Sequence, residues 1–330
     1  MKIKALAVLG LAAVSAVVLT GCGGNVGAAA GSSDDAAFPT RDITLTVGQD
    51  AGGSTDLIAR AVAAGMEEEL GVAVPVVNKA GANGAVATAE VAGMDPDGYN
   101  LVLLNASLIT ITNLTLGEAE QVELDDLTVL KGLSQDDYVL VASKASGIES
   151  FDDLTVVDKL SYGTTGVGTG SQLAQAILFG EAGVAGTDVP FDSGSPALTA
   201  VMGDQVQVAT IQLGEAKPQI DAGTVTPLVV FSAERNPFLE DVPTATELGY
   251  DVPVSQFRAV AAPAGLPQDI EDALVAAIDA ALASKEYQAF NENNLLTPHE
   301  ISGDDVVAEW NGLLEKYAGL VEDNGISLTD

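Results

Sequence analysis

Two glycine-rich turns carry the residues best suited to holding a ligand. They are Gly52-Gly53-Ser54-Thr55-Asp56 and the run from Gly163 to Ser171, which contains Thr164, Gly166 and Gly168. Each follows strand-like residues and leads into an amphipathic stretch. Glycines at such a turn let the backbone come close to a ligand. The first N–H groups of the following helix point outward with partial positive charge, and a neighbouring Ser or Thr can cap it. The arrangement suits an anion without any cationic side chain. Other chemistries fit poorly. Neither turn continues into Gly-Lys-Ser/Thr, and Gly166-Val-Gly-Thr-Gly170 lacks the full dinucleotide fingerprint. The single histidine, His299, lies in a Thr-Pro-His-Glu turn and not in a glycine loop, so no Ser-His-Asp triad is expected. One histidine and one cysteine leave no His- or Cys-built metal site. Neither catalysis nor a cofactor is expected.

The elements that must position these turns alternate along the chain. Residues 43–47 read as a strand. A helix follows, with Leu57, Ile58, Ala61, Val62 and Met66 on one side and Gly71 as its stop. Residues 72–77 (strand), 82–92 (helix) and 101–104 (strand) complete a βαβαβ run, which implies a parallel sheet. A second series begins at 138–142 and passes through 160–162 into a helix at 171–179. It continues with a strand at 189–191, a helix at 197–202 and strands at 206–211 and 225–231. A return strand at 257–261 precedes helices at 268–282, 285–291 and 304–321. The expected domains are residues 38–138 plus 257–330 as one lobe and 139–256 as the other, joined by two crossing strands around a cleft that opens and shuts. Phe231, Phe257 and Trp310 read as core.

The N-terminus reads as an address. Lys2 and Lys4 precede an apolar run over 5–19 that ends in Leu19-Thr20-Gly21-Cys22, which predicts a signal peptide over 1–21. About 15 apolar residues are short for a span of the ~30 Å hydrocarbon core. The ending resembles the lipobox of bacterial lipoproteins, so Cys22, the only cysteine, is the expected lipidation site. Residues 22–37, rich in Gly, Ala and Ser, form the expected flexible linker. The protein is thus expected outside the cytoplasm, lipid-anchored to the membrane and monomeric. A net charge of −34 with 13 basic residues excludes nucleic-acid binding, which needs a basic surface to neutralise phosphates.

Taken in order, the motifs resemble the extracytoplasmic receptors of tripartite tricarboxylate transporters, the Bug receptors. The resemblance rests on Gly52-Gly53-Ser-Thr-Asp56 with Ala59-Arg60, Asn78-Lys-Ala-Gly81-Ala-Asn-Gly84 and Pro96-Asp-Gly-Tyr99. It extends through Tyr162-Gly163 to Gly168 with Ser171, Val189-Pro-Phe191 with Gly194, Pro243-Thr244 with Glu247-Leu-Gly249, and Ala262-Pro-Ala-Gly265. The family implies an α/β, two-lobe periplasmic-binding-protein-like fold of type II, with two crossover strands and a ligand cleft between the lobes. It implies capture of a small carboxylate for integral membrane subunits of a tripartite transporter. By position it assigns ligand contacts to Gly52, Gly53, Ser54, Thr55 and Asp56, to Gly163, Thr164, Gly166, Gly168 and Ser171, and to Phe191 and Gly194. Asp56 also reads as a helix-start residue bonding backbone N–H groups.

Three departures from the family pattern stand out. Gly48-Gln49-Asp50 replaces a Pro-Phe before the first turn, Asp192 stands where lysine is common, and Val77 where glutamate is usual. Extra acids beside an anion repel it. They suggest a ligand with a compensating positive group, such as an amino-dicarboxylate or a cation–citrate complex, unless Asp50 and Asp192 face solvent. A carboxylate-sensing lipoprotein and a secreted hydrolase are the alternative functions.

Overall fold

The computed structural model describes residues 38–117, 120–157, 159–232, 234–252 and 254–328; the expected signal peptide, Cys22 and the linker to residue 37 lie outside them. The chain opens with β1 (Thr44–Val47), α1 (Ser54–Leu70), β2 (Val76–Asn78), α2 (Ala85–Ala92), β3 (Asn100–Asn105) and α3 (Ala106–Thr110). It continues with β4 (Leu127–Ser143), α4 (Phe151–Leu154), β5 (Leu160–Thr164), α5 (Gly170–Ala182), β6 (Gly186–Pro190), α6 (Gly194–Met202), β7 (Val208–Gln212), α7 (Leu213–Asp221) and β8 (Val225–Val230). Last come β9 (Ser255–Pro263), α8 (Gln268–Ala283), α9 (Lys285–Asn293), β10 (Thr297–Pro298) and α10 (Gly303–Asp323).

In the first lobe β1 pairs in parallel with β2 and β3, as helical crossovers require. Ile43, Leu45 and Val47 on one face are wholly buried and Thr46 on the other is 5% exposed, which suits a strand covered on both faces. α1 sends Ile58, Ala59, Val62 and Met66 into this core and stops at Gly71, whose φ of +68° lets its N–H return to Glu67 O. α8 packs on α1 so closely that a Cβ on Gly65 would stand 2.5 Å from that of Ala281. In the second lobe β5 likewise pairs in parallel with β6 and β7.

β4 joins the two. Its residues Leu127–Asp137 pair antiparallel with β9, and Tyr138–Ser143 run between β7 and β8. The strand orders are therefore β2-β1-β3-β9-β4 on one side and β6-β5-β7-β4-β8 on the other. β8 ends opposite Val139 and β9 begins opposite Asp137, so these two strands lie end to end along β4 with residues 231–254 looped out between them. One crossover is thus a single 17-residue strand and the return is made in two pieces. The proximal half of β4 escaped the sequence reading because Lys131, Gln135, Asp136 and Asp137 interrupt its apolar alternation. α7 escaped it as well, since Pro218 stands inside the helix.

The C-terminal helix touches the cores of both lobes. α10 buries Val306 and Trp310 beside Phe257, then carries Tyr317 into the second lobe's core with Phe151 and Tyr138. It straps both lobes. Trp310 meets Phe257 edge-on at 5.7 Å, and Phe231 is core, as expected for all three.

Candidate functional site

Where β4 passes between the lobes, a tight polar cavity, with about 20 Å³ of enclosed room and about 290 Å³ counting its open mouth, lies at the meeting of several helix starts. The first lobe contributes Gln49, Gly53–Thr55, Asn83, Asn105 and Gln256; the second contributes Thr165, Ser193, Gly194, Gln212 and Glu215. α1 and α6 both begin here, from opposite lobes. α1 starts after Gly53, which has no side chain to cap it, and α6 starts after Ser193, whose hydroxyl makes no capping bond. Two positively polarised helix ends therefore open on one small space.

The lobes touch around it. Ser54 N–H donates to Glu215 Oε1 at 2.7 Å, and Ser195 Oγ–H to Gly52 O at 2.9 Å. Thr112 Oγ1–H donates to Gly168 O at 2.8 Å. Gly168 needs to be glycine on two counts. Its φ is +69°, and a Cβ would stand 2.9 Å from Thr112 Cα.

A charged cluster supports one wall. Arg258, wholly buried on β9, is ion-paired with Asp136 and donates from Nε to Thr55 Oγ1 at 3.1 Å. Thr55 Oγ1–H in turn donates to Asn105 Oδ1 at 3.2 Å, and Ser54 Oγ–H donates to Asp136 Oδ2 at 3.0 Å. Arg258 Nη2 is buried without a partner. Glu215 stands opposite. Its Oε1 holds the α1 N-terminus, and its Oε2 is enclosed, unpartnered and pressed against Gly194, where a Cβ would collide with it. Burial pushes the Glu215 carboxyl up to about 7, against the lowering pull of the Ser54 N–H and Arg258 and with a further push from Asp136.

Five enclosed side-chain atoms on this cavity lack a hydrogen-bond partner: Gln49 Oε1, Ser193 Oγ, Gln212 Oε1, Glu215 Oε2 and Gln256 Oε1. Buried polar atoms normally find partners, and each failure costs about 1–3 kcal/mol. Their concentration here marks a surface built to meet something polar.

Of the residues assigned from the sequence, Gly53, Ser54, Thr55 and Gly194 line the cavity. Gly52 sits at its outer side, with its N–H given to Asp56 Oδ2 at 2.9 Å. Asp56 is consumed in the same way. Burial alone would raise its pKa, but bonds from Arg60, Gly52 and Asn78 outweigh that and hold it below the usual range. Gly163 and Thr164 are buried in β5, Gly163 beside Ala209 and Thr164 with Oγ1 toward Asp188. The Ser171 hydroxyl is taken up by Thr165 N–H and the hydroxyls of Thr165 and Thr169. Gly166 and Phe191 line an adjoining recess that shares Asn83 and Thr165 with the cavity and includes the exposed Asp192; neither Asp192 nor the half-buried Asp50 lines the cavity itself. His299 is bonded to Glu309 and meets Phe257 edge-on, apart from the cavity wall.

Sequence reasoning missed Glu215, Gln212, Asp136, Arg258 and Gln256. One signal was available. An arginine inside the apolar return strand of an acid-rich chain with four arginines has to find a buried acid.

Two packed α/β lobes, one continuous spine strand and a polar cavity between helix N-termini define a two-lobed solute-binding protein. The chain belongs to the tripartite tricarboxylate transporter receptor family: the family model described as "Tripartite tricarboxylate transporter family receptor" matches residues 58–325. The protein BugT of Bordetella pertussis is 29% identical over 303 residues, 88% of this chain and 91% of its own. The structure of the periplasmic binding protein BugD superposes with a TM-score of 0.82 at 28% identity, covering 88% of this chain and 99% of BugD. MatC from Rhodopseudomonas palustris, solved with bound malate, gives 0.81 at 26% identity over 86% of this chain and all of MatC. Family and fold are those of extracytoplasmic solute receptors, and among the described residues no helix is long and apolar enough to cross a membrane.

Proposed function

We propose that this chain captures a small carboxylate in the interlobe cavity and presents it to the integral membrane subunits of a tripartite transporter, anchored by lipid on Cys22. The observation that carries the reading is the meeting of the α1 and α6 N-termini, neither capped by its own N-cap residue and α1 holding Glu215 through Ser54 N–H, over enclosed polar atoms that lack partners. A carboxylate there accepts from first-turn N–H groups and the Ser193 hydroxyl. MatC's malate supports the same ligand class. The lobes, 38–138 with 257–330 and 139–256, close about the middle of β4. Closure adds the Ser54–Glu215, Ser195–Gly52 and Thr112–Gly168 bonds, a shape that a membrane partner can read.

The test is a thermal-denaturation panel of mono-, di- and tricarboxylates, with and without amino groups and divalent cations. A ligand at 100 times its Kd stabilises by about 2.7 kcal/mol. A selective shift by one carboxylate class, without product formation, is expected. No shift with any carboxylate, or turnover of one, refutes the reading. Co-purification with the membrane subunits tests the partnership, and loss of membrane attachment in Cys22→Ser tests the anchor.

A further inference from the structure

Four of the cavity's five partnerless atoms are carboxylate or amide oxygens; the fifth, the Ser193 hydroxyl, can also donate, and behind the wall Arg258 Nη2 is buried without a partner. Among the described residues no side-chain nitrogen on the cavity wall itself is buried without a partner. Gln49 is fixed in this sense, because its Nε2 is held by Asn83 O at 3.1 Å and Oε1 is left over. Gln212 and Gln256 are at least nine-tenths buried. The charges point the same way. Arg258 is matched by Asp136, so the ionised Glu215 leaves the wall with one negative charge in excess. Glu215 also already occupies the α1 helix end through Ser54 N–H, as a ligand carboxylate would. A bare dicarboxylate entering here would meet a resident carboxylate and a ring of acceptors, with few donors to satisfy them.

We infer that Glu215 is a specificity-determining residue that makes this a site for carboxylates bearing an amino group, the ammonium donating to Glu215 Oε2 and to the amide oxygens of Gln212 and Gln256. The inference deepens the carboxylate reading and rests on it. The ligand's carboxylate keeps the α6 side, at Ser193 and Gly194. Its ammonium supplies both the positive charge and the three N–H donors that the wall lacks. The acids that suggested a positive group from sequence, Asp50 and Asp192, do not line this cavity. The residue that answers the argument is Glu215. A wall built to receive N–H donors rejects the analogue lacking them, because its buried acceptors then stay unpaired.

The experiment is calorimetric titration of the full chain with two matched pairs, succinate against aspartate and glutarate against glutamate. Wild type should prefer the amino member of at least one pair. Glu215→Gln, nearly isosteric, should shrink that preference by about 10- to 100-fold, the worth of one charge-assisted bond. Gln212→Met should shrink it less but in the same direction, and circular dichroism checks that both variants are folded. Equal affinity within both pairs in wild type, or an unchanged preference in folded Glu215→Gln, overturns the inference. Binding of none of the four acids overturns it too, and the thermal panel then shows whether the carboxylate reading falls with it.

Discussion

Replacing Glu215 with glutamine should change how stability depends on pH, by an amount the structure sets. Burial raises this carboxyl from its ordinary 4.5 to about 7 in the folded protein. The folded state therefore holds the proton more tightly than the unfolded chain. Below pH 4.5 both states are protonated and the site costs nothing extra. Between 4.5 and 7 the unfolded chain ionises first, and folding loses stability until both states are ionised. A gap of about 2.5 on the pH scale, at 1.36 kcal/mol each, comes to about 3 kcal/mol. Glutamine keeps the shape and an oxygen for Ser54 N–H but cannot ionise. Urea unfolding of both proteins from pH 4 to 8.5 isolates the group, because the other acids titrate alike in each. The variant should gain on wild type by about 3 kcal/mol across that window, with the midpoint of the gain between 4.5 and 7. A difference that stays flat with pH would mean that Glu215 is not buried where Ser54 and Gly194 enclose it.

Two further variants test the walls. Gly53 has φ −79° and ψ 168°, open to any residue, and a Cβ there would stand 3.3 Å from Ser193 Cβ on the other lobe. Gly53→Leu should fold yet lose ligand-induced thermal stabilisation; unchanged affinity would remove the first turn from the site. Arg258→Met strands Asp136 in the interior and should destabilise by about 3–5 kcal/mol, while adding Asp136→Asn should recover much of the loss. A single variant as stable as wild type, measured by urea unfolding, would argue that the pair is not buried as described.

Much of the fold was legible because its signals are local. Residues 43–47 alternate, α1 repeats its apolar residues at helical spacing, and Gly71 marks the stop; all three stand in the structure. The two glycine turns were legible for the same reason, as was the helix-start role of Asp56. The proximal half of β4 and the helix α7 were not. Charged residues break the period of one and Pro218 that of the other, and both elements are held by partners far away in the chain.

The site divides along the same line. Local chemistry dictated where a backbone could open toward a ligand, since glycine and hydroxyl spacing around a helix start is a matter of neighbours in sequence. Which of those turns meet, and what faces them, was decided by long-range assembly. Ser54 and Glu215 lie 161 positions apart, Thr55 and Arg258 203 apart, and Asp136 and Arg258 122 apart. No period or motif couples such positions. Only the pairing of β4 with β9 and the closing of one lobe on the other brings them within hydrogen-bond reach, and burial then gives Glu215 an electrostatic character that its letter in the sequence does not carry.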